Sequence, residues 1–207
     1  TVPHSAWVMS PPALPAMPHT PKLPAGLLPS SAAPLETATV GRTLNIGPRI
    51  GIKGACDDQA LGNALHAIFA ADLPDRRANM DRRLTRARRL LDAHGIAANL
   101  EAADVIGGAD RFYALIEMEF GFSKLRVEVP FEYPAEDGRR VSGFIDLVLE
   151  TNAGWLVIDH KSFPGGKDDV EAKALTYSGQ LACYGRALEA AEHRVRSLWI
   201  HFPVSGL

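Results

Sequence analysis

The chain has 207 residues, enough for one full-sized hydrophobic core, and 46% hydrophobic and 22% charged residues are ordinary values for a globular domain. No apolar run approaches the roughly 18 residues of a membrane-spanning helix, so no membrane partner is expected. A net charge of −2 gives the whole molecule no bulk attraction to polyanions. A nucleic-acid partner therefore requires locally clustered basic residues, and arginines do cluster in residues 76–89.

Residues 1–50 are predicted to form a Pro-rich linker or strap ahead of a domain that spans residues 51–207. Proline fixes φ and lacks a backbone donor, which disfavours a helix or a central strand here. Leu23, Leu27 and Leu28 could still hold this stretch against a neighbouring surface. Because the chain begins at Thr1 without a signal-like segment, we expect it to be part of a longer polypeptide.

Three helices are predicted after residue 51. The first covers residues 57–71, where Asp57 or Asp58 can cap a helical pattern of apolar residues. The second, rich in arginine, covers residues 75–94 and ends at Gly95. The third covers about residues 100–120 and contains two glycines in its interior.

The hydrophobic period then changes to that of strands. Alternation predicts a strand over residues 124–131 and a second over 141–150. A short hairpin loop at 152–154 leads to a third, apolar strand at 155–160. A helix at about 169–192 and a last strand at 197–202 complete an α/β sandwich around a mixed sheet.

Acidic residues stand where two of these strands end. Because residues i and i+2 of a strand share a face, Asp159 and Lys161 should project together while His160 turns away. The hairpin brings Asp146 alongside, and a carboxylate inside so apolar a strand calls for a metal or a cation. Two carboxylates holding Mg²⁺ or Mn²⁺ beside an ammonium suit phosphodiester hydrolysis. Surface ion pairs at the strand ends are the alternative, since Asp-x-Lys is a common tripeptide.

Two helical features accompany this group. His66 lies in the middle of the first predicted helix, where an imidazole is either a hydrogen-bonded core residue or a metal ligand. Tyr177, Gln180 and Tyr184 share one face of the long helix after the third strand. Packing of an amphipathic helix explains that spacing, and so do contacts with phosphates or bases.

Together these residues resemble the successive motifs of RecB- and AddA-type nuclease domains, which are PD-(D/E)XK modules at the C-terminal end of helicase–nucleases. The resemblance covers about residues 55–202. The motifs are Gly62-x-x-x-His66, Glu128-Val129-Pro130-Phe131, Gly143-Phe144-Ile145-Asp146, Asp159-His160-Lys161 and Gln180-Leu181-x-x-Tyr184. The fold it implies is restriction-endonuclease-like, a mixed sheet flanked by helices with an extra N-terminal helical region.

The resemblance also implies roles for single residues. It makes His66, Asp146, Asp159 and the backbone carbonyl of His160 the metal ligands, with Mg²⁺ or Mn²⁺ as the cofactor. It makes Asp146, Asp159 and Lys161 the catalytic group. By the resemblance, Gln180 and Tyr184 contact DNA or steady the site, and Tyr177, on the same predicted helix face, is a further candidate for DNA contact. Glu128 matches a recurrent acidic position and is a second-tier candidate.

The implied partners are DNA, a helicase domain in the parent chain and an AddB-like second subunit, in the cytoplasm of a bacterium at the nucleoid. An iron–sulfur cluster, found in AddB-type nucleases, needs four cysteines, whereas this chain has Cys56 and Cys183. The chain lacks a phosphate loop for ATP. The arginine-rich helix is interpreted as a solvated or docking surface, with a phosphate-tracking surface as the alternative.

The leading hypothesis is therefore a metal-dependent DNA nuclease, an exonuclease on single strands that a helicase delivers during double-strand-break repair. A second hypothesis is a catalytically inactive nuclease fold kept for DNA binding or as a scaffold. The presence of both carboxylates and the lysine speaks against it. Hydrolysis of RNA or of another phosphodiester is a third.

Overall fold

The computed structural model describes residues 26–73 and 76–207, so the first half of the strap predicted for residues 1–50, with Leu23, lies outside the described chain. The helices are α1 (Asp58–Asp72), α2 (Met80–Ala93), α3 (Ala102–Phe120), α4 (Val170–Leu175) and α5 (Ser178–Ala190). The strands are β1 (Lys124–Pro134), β2 (Arg140–Thr151), β3 (Gly154–His160) and β4 (Val195–His201).

The four strands form one sheet in the order β1-β2-β3-β4. The first three are antiparallel neighbours, and β4 returns parallel to β3 after α4 and α5. Helices α1 and α3 pack with Leu147, Leu149 and Ile158, whereas α5 packs with Val148 and Val157. The predicted mixed sheet flanked by helices is confirmed. Within the described residues, no helix combines the length and the apolarity needed to cross a bilayer.

The first two helices begin where a side chain caps them. Asp57 Oδ1 accepts a hydrogen bond from Ala60 N at 2.7 Å, so α1 begins within one residue of its prediction. The second prediction was wrong at its start, since α2 begins at Met80 and not at residue 75. The reason is Asn79, whose Oδ1 accepts from Asp81 N at 2.7 Å and fixes the first turn there.

Arg83 of α2 points into the protein rather than to solvent. It is 4% exposed, and its guanidinium donates two hydrogen bonds to the fully buried Asp72, at 2.9 and 2.6 Å. A further bond of 2.5 Å reaches Asp110 on α3. The interpretation of the arginine-rich helix as a solvated or docking surface is therefore wrong for Arg83, which joins α1, α2 and α3.

The long helix predicted over residues 169–192 is broken into α4 and α5. Thr176 Oγ1 donates to Lys173 O at 2.7 Å, and Ser178 Oγ donates to Leu175 O at 2.7 Å. These hydroxyls satisfy carbonyls that a continuous helix would bond through its own amides, which favours the break. Tyr177 consequently lies at the break as the N-cap residue of α5, whereas Gln180 and Tyr184 lie within that helix.

Residues 26–35 run as a strap over β2 and the start of α5. Leu27 forms a parallel bridge with Val141, and Leu35 N donates to Ser178 Oγ at 2.8 Å. Gly179 faces the strap so closely that a methyl group there would overlap the carbonyl of Ala33. Leu27 therefore holds the strap as predicted, whereas Leu28 is 63% exposed. The domain boundary at residue 51 stays a prediction, with Ile50 already in the core.

Gly179→Ala is expected to displace the strap and to lower the free energy of unfolding by about 1–3 kcal/mol, because the clash is with backbone. Urea unfolding measures the loss, and limited proteolysis within residues 26–35 reports strap release. Gly185→Ala on the same helix is the control, since its methyl group would meet only Leu198 side-chain atoms at ordinary contact distance. Equal behaviour of the two variants would contradict the prediction.

Candidate active site

Asp146 and His160 connect β2 to β3 where the two strands end their pairing. The backbone N–H of His160 donates to Asp146 Oδ2 at 2.7 Å, and the other oxygen of Asp146 lies 3.5 Å from His66 Nδ1. The Asp146 side chain is 10% exposed. Burial, followed by repulsion from Asp159, raises the pKa of Asp146 to about 8. A cation beside this carboxylate would favour its charged form and lower its pKa again.

Asp159 and Lys161 project together, as the strand period predicted. Lys161 Nζ lies 2.7 Å from Asp159 Oδ2, and Asp159 is fully buried. Apart from this ion pair, that oxygen has no hydrogen-bond partner among the described residues. Asp159 Oδ2 therefore keeps lone pairs available for a cation.

The other oxygen of Asp159 is held by α5. Tyr184 O–H donates to Asp159 Oδ1 at 3.2 Å, and Gln180 Nε2 donates to the Tyr184 oxygen at 2.6 Å. Gln180 Nε2 also lies 3.4 Å from Asp159 Oδ1. Burial and the nearby Asp159 charge raise the pKa of Tyr184, so its hydroxyl stays a donor. Gln180 and Tyr184 thus orient a carboxylate of the site from behind.

Glu128 faces Asp146 from β1 and has an unusual backbone. It lies between the pairs Val127↔Leu147 and Val129↔Ile145, and its φ is 48°. A residue other than glycine in this left-handed region carries strain of about 1–3 kcal/mol. At this point β1 changes partners, because Val127 packs with α1 and α3 whereas Val129 packs with α5. This left-handed conformation places the exposed Glu128 carboxylate close to the buried Asp146.

His66 approaches the same point from α1. Its Nε2 donates to the His160 carbonyl at 2.7 Å, so in the neutral ring Nδ1 presents a lone pair to Asp146. A cation between Nδ1 of His66 and the Asp146 carboxylate would be a ligand partner for both. Gly62 lets α1 come this close, since a methyl group at Gly62 would lie 3.1 Å from Ser162 Oγ.

The donor set fits a divalent cation. His66, Glu128 and Asp146 each offer a ligand atom, and these atoms lie within 4.8 Å of one another. Carboxylate oxygens with one imidazole suit Mg²⁺ or Mn²⁺. Glu128, a second-tier candidate from sequence, belongs to this cluster, while Asp159 lies beside it and faces Lys161. In the sequence, Glu128 was identified only by its position in the motif Glu128-Val129-Pro130-Phe131. The structure shows in addition that its carboxylate lies close to His66 and Asp146.

The side chain of His160 lies on the opposite side of the backbone, in the core. Its Nδ1 is 2.7 Å from His201 Nδ1, and His201 stacks on Phe112 at 4.1 Å between ring centroids. Burial lowers the pKa of His201 to about 3 and that of His160 well below its ordinary value. Both rings are therefore neutral and share one hydrogen. Sequence reasoning missed His201, because only the fold pairs β4 with β3.

Tyr184→Phe is expected to reduce turnover about 10- to 100-fold, because the hydroxyl that orients Asp159 is lost while the ring still fills its place. Steady-state kinetics measure the change. Tyr133→Phe, which removes a hydroxyl from another largely buried tyrosine, is the control and should retain wild-type kinetics. An unchanged rate for Tyr184→Phe would show that Asp159 needs no support from α5.

Comparison with known proteins agrees with this geometry. The sequence pattern of the PD-(D/E)XK nuclease superfamily matches residues 40–204, which is most of the chain. A comparison with curated proteins gave no match. A buried acidic pair, a lysine two residues after the second acid and a mixed sheet with flanking helices occupy that matched region. The chain therefore belongs to the PD-(D/E)XK nuclease superfamily.

Proposed function

We propose that the chain is a DNA nuclease module of the RecB/AddA type that works with Mg²⁺ or Mn²⁺. One observation carries the proposal: the Lys161 ammonium contacts Asp159 directly beside the His66, Glu128 and Asp146 cluster. A metal-dependent nuclease follows from the superfamily itself. The RecB/AddA type is supported by Gln180 and Tyr184, because the two residues of that motif both contact the catalytic carboxylate.

The residues divide the work by their positions. His66, Glu128, Asp146, Asp159 and the His160 carbonyl would hold the cation, which when bound acidifies a water and offsets charge on the phosphate oxygens. The Lys161 ammonium orients the attacking water or stabilises the charge that develops on the phosphate. Gln180 and Tyr184 fix Asp159, and the amide of His160 fixes Asp146. Because Asp146 and Asp159 are buried, where the dielectric constant is low, their charges would attract the bound cation more strongly than in water.

A cleavage assay tests the proposal. The chain is incubated with labelled single-stranded DNA, duplex DNA or RNA in the presence of Mg²⁺, Mn²⁺ or EDTA. We expect cleavage of single-stranded DNA that needs the cation, and loss of about 10²- to 10³-fold in Lys161→Gln. Lys124→Gln removes the same charge from the far end of β1 and serves as the matched control. Absence of wild-type cleavage would leave the inactive-scaffold hypothesis, and full activity in Asp159→Ala would contradict the catalytic site proposed here.

The wider proposal places this module in an exonuclease for double-strand-break repair, in the cytoplasm of a bacterium at the nucleoid. A helicase domain in the parent chain and an AddB-like subunit complete it. The resemblance of the five motifs supports this part. Intact-mass measurement of the native polypeptide tests it, because a fused helicase requires a far longer chain. A native chain without a motor domain would overturn the assignment to a helicase–nuclease.

A further inference from the structure

The Tyr177 ring, at the break between α4 and α5, lies close to the ammonium groups of two lysines. Its ring centroid lies 5.1 Å from the Nζ of Lys161 and 5.3 Å from the Nζ of Lys173. These distances are typical of cation–π contacts. The two ammonium groups therefore lie no more than about 10 Å apart. Lys161 belongs to the site described above, whereas Lys173 has no role in it.

A second aromatic ring holds Lys173 from another side. The Lys173 Nζ lies 5.8 Å from the Phe163 ring centroid. Phe163 is itself fixed, because its ring packs edge to face with Phe202 at 5.6 Å and lies against the backbone of Gly165, where any side chain would overlap it. The loop that follows Lys161 thus supplies a fixed aromatic ring that contacts the Lys173 ammonium.

The two lysines differ in their charge partners. The Lys161 ammonium faces Asp159 at 2.7 Å. The Lys173 ammonium forms no ion pair with a carboxylate of the described residues, and its partners are the two rings. Aromatic faces attract a cation without neutralising it, so Lys173 keeps its full capacity for an anion. Its side chain is partly buried, which limits the freedom lost when an anion binds.

We propose that Lys173, held between Tyr177 and Phe163, binds a backbone phosphate of the nucleic acid close to the phosphate that is being cleaved. The inference rests on the proposed function, since only a polymeric phosphodiester offers a second phosphate. A separation of about 10 Å or less corresponds to about one to three nucleotide steps along a strand. Lys161 and Lys173 would then contact two phosphates of the same strand beside Tyr177.

Salt dependence of binding tests this site without any cleavage. Binding of a fluorescent single-stranded oligonucleotide to the full chain is measured in EDTA over a range of salt concentrations. Loss of one phosphate contact in Lys173→Gln should lower the slope of log affinity against log salt by about 0.7, whatever the base sequence. The affinity should fall about tenfold at low salt. Lys124→Gln is the matched control, with an unchanged slope.

Kinetics and two further variants separate a phosphate contact from a structural role. Lys173→Gln should raise KM about tenfold and change kcat little, because the contact exists before and during cleavage. Lys173→Arg should restore binding, since a guanidinium also contacts aromatic faces and phosphates. Tyr177→Leu should lose the same slope as Lys173→Gln, because it removes one of the two rings that contact the Lys173 ammonium.

The outcomes distinguish this inference from the proposed function. Oligonucleotide binding with an unchanged slope in Lys173→Gln, or no measurable binding by wild type, would overturn the Lys173 site. Cleavage that is insensitive to Lys173 would overturn the site and leave the nuclease proposal intact. Binding that depends on Lys173 in a chain that cleaves nothing would overturn the nuclease proposal and support the site.

Discussion

Asp146→Asn is expected to reduce cleavage about 10³-fold or more while the fold is retained. The substitution removes a charge that contributes several kcal/mol through the bound cation, and each 1.4 kcal/mol is about a factor of ten in rate. Asparagine keeps the shape and can still accept from the His160 amide. Because Asp146 is buried and carries a raised pKa without a cation, its neutral replacement should not destabilise the apoprotein.

Two measurements check this prediction together. Mn²⁺ should raise the melting temperature of the wild-type protein by binding only the folded state, and this rise should be absent in Asp146→Asn. Initial rates on DNA measure the loss of cleavage. Asp92→Asn, an exposed acid on α2, is the matched control and should keep both responses. Retention of the Mn²⁺ response in Asp146→Asn would remove Asp146 from the ligand set.

Arg83→Met should cost about 3–5 kcal/mol of folding free energy. The substitution leaves the fully buried Asp72 without the guanidinium that donates two hydrogen bonds to it. It also removes the hydrogen bond from Arg83 to Asp110. Arg86 remains near Asp72 with a single bond of 3.2 Å, which does not replace the lost pair. Urea denaturation followed by circular dichroism gives the change in unfolding free energy.

The charge argument predicts a rescue. In Asp72→Leu/Arg83→Met the buried acid and its partner are both replaced by apolar groups, and most of the lost stability should return. Arg88→Met, at an exposed position of the same helix, should change stability by no more than about 0.5 kcal/mol. A double variant as unstable as Arg83→Met would assign the loss to packing instead of to the unpaired acid.

The proximity of Asp146, Asp159 and Lys161 was predictable because it depends on strand geometry. Period-2 alternation placed Asp159 and Lys161 together and His160 apart, and a short hairpin brought Asp146 alongside. These relations are local or involve neighbouring strands. For the same reason, the order of elements and the mixed sheet could be predicted from the hydrophobic periods.

The features that were missed depend on contacts between distant parts of the chain. Arg83 reads as a surface arginine until α1 and α3 supply Asp72 and Asp110. The break at Tyr177 depends on hydroxyls that compete with helical amides, a choice that periodicity does not register. The left-handed backbone of Glu128 is strained, and local preferences predict the opposite of a strained conformation.

His160 has a consequence for heat inactivation. Its amide donates to Asp146, its carbonyl accepts from His66, and its ring packs with His201 in the core. One residue therefore connects the positions of Asp146 and His66 to the packing of the core. Warming cannot loosen the site independently while that ring stays in place. Activity and tertiary structure should therefore disappear over the same narrow temperature interval, with no inactive but folded state between them.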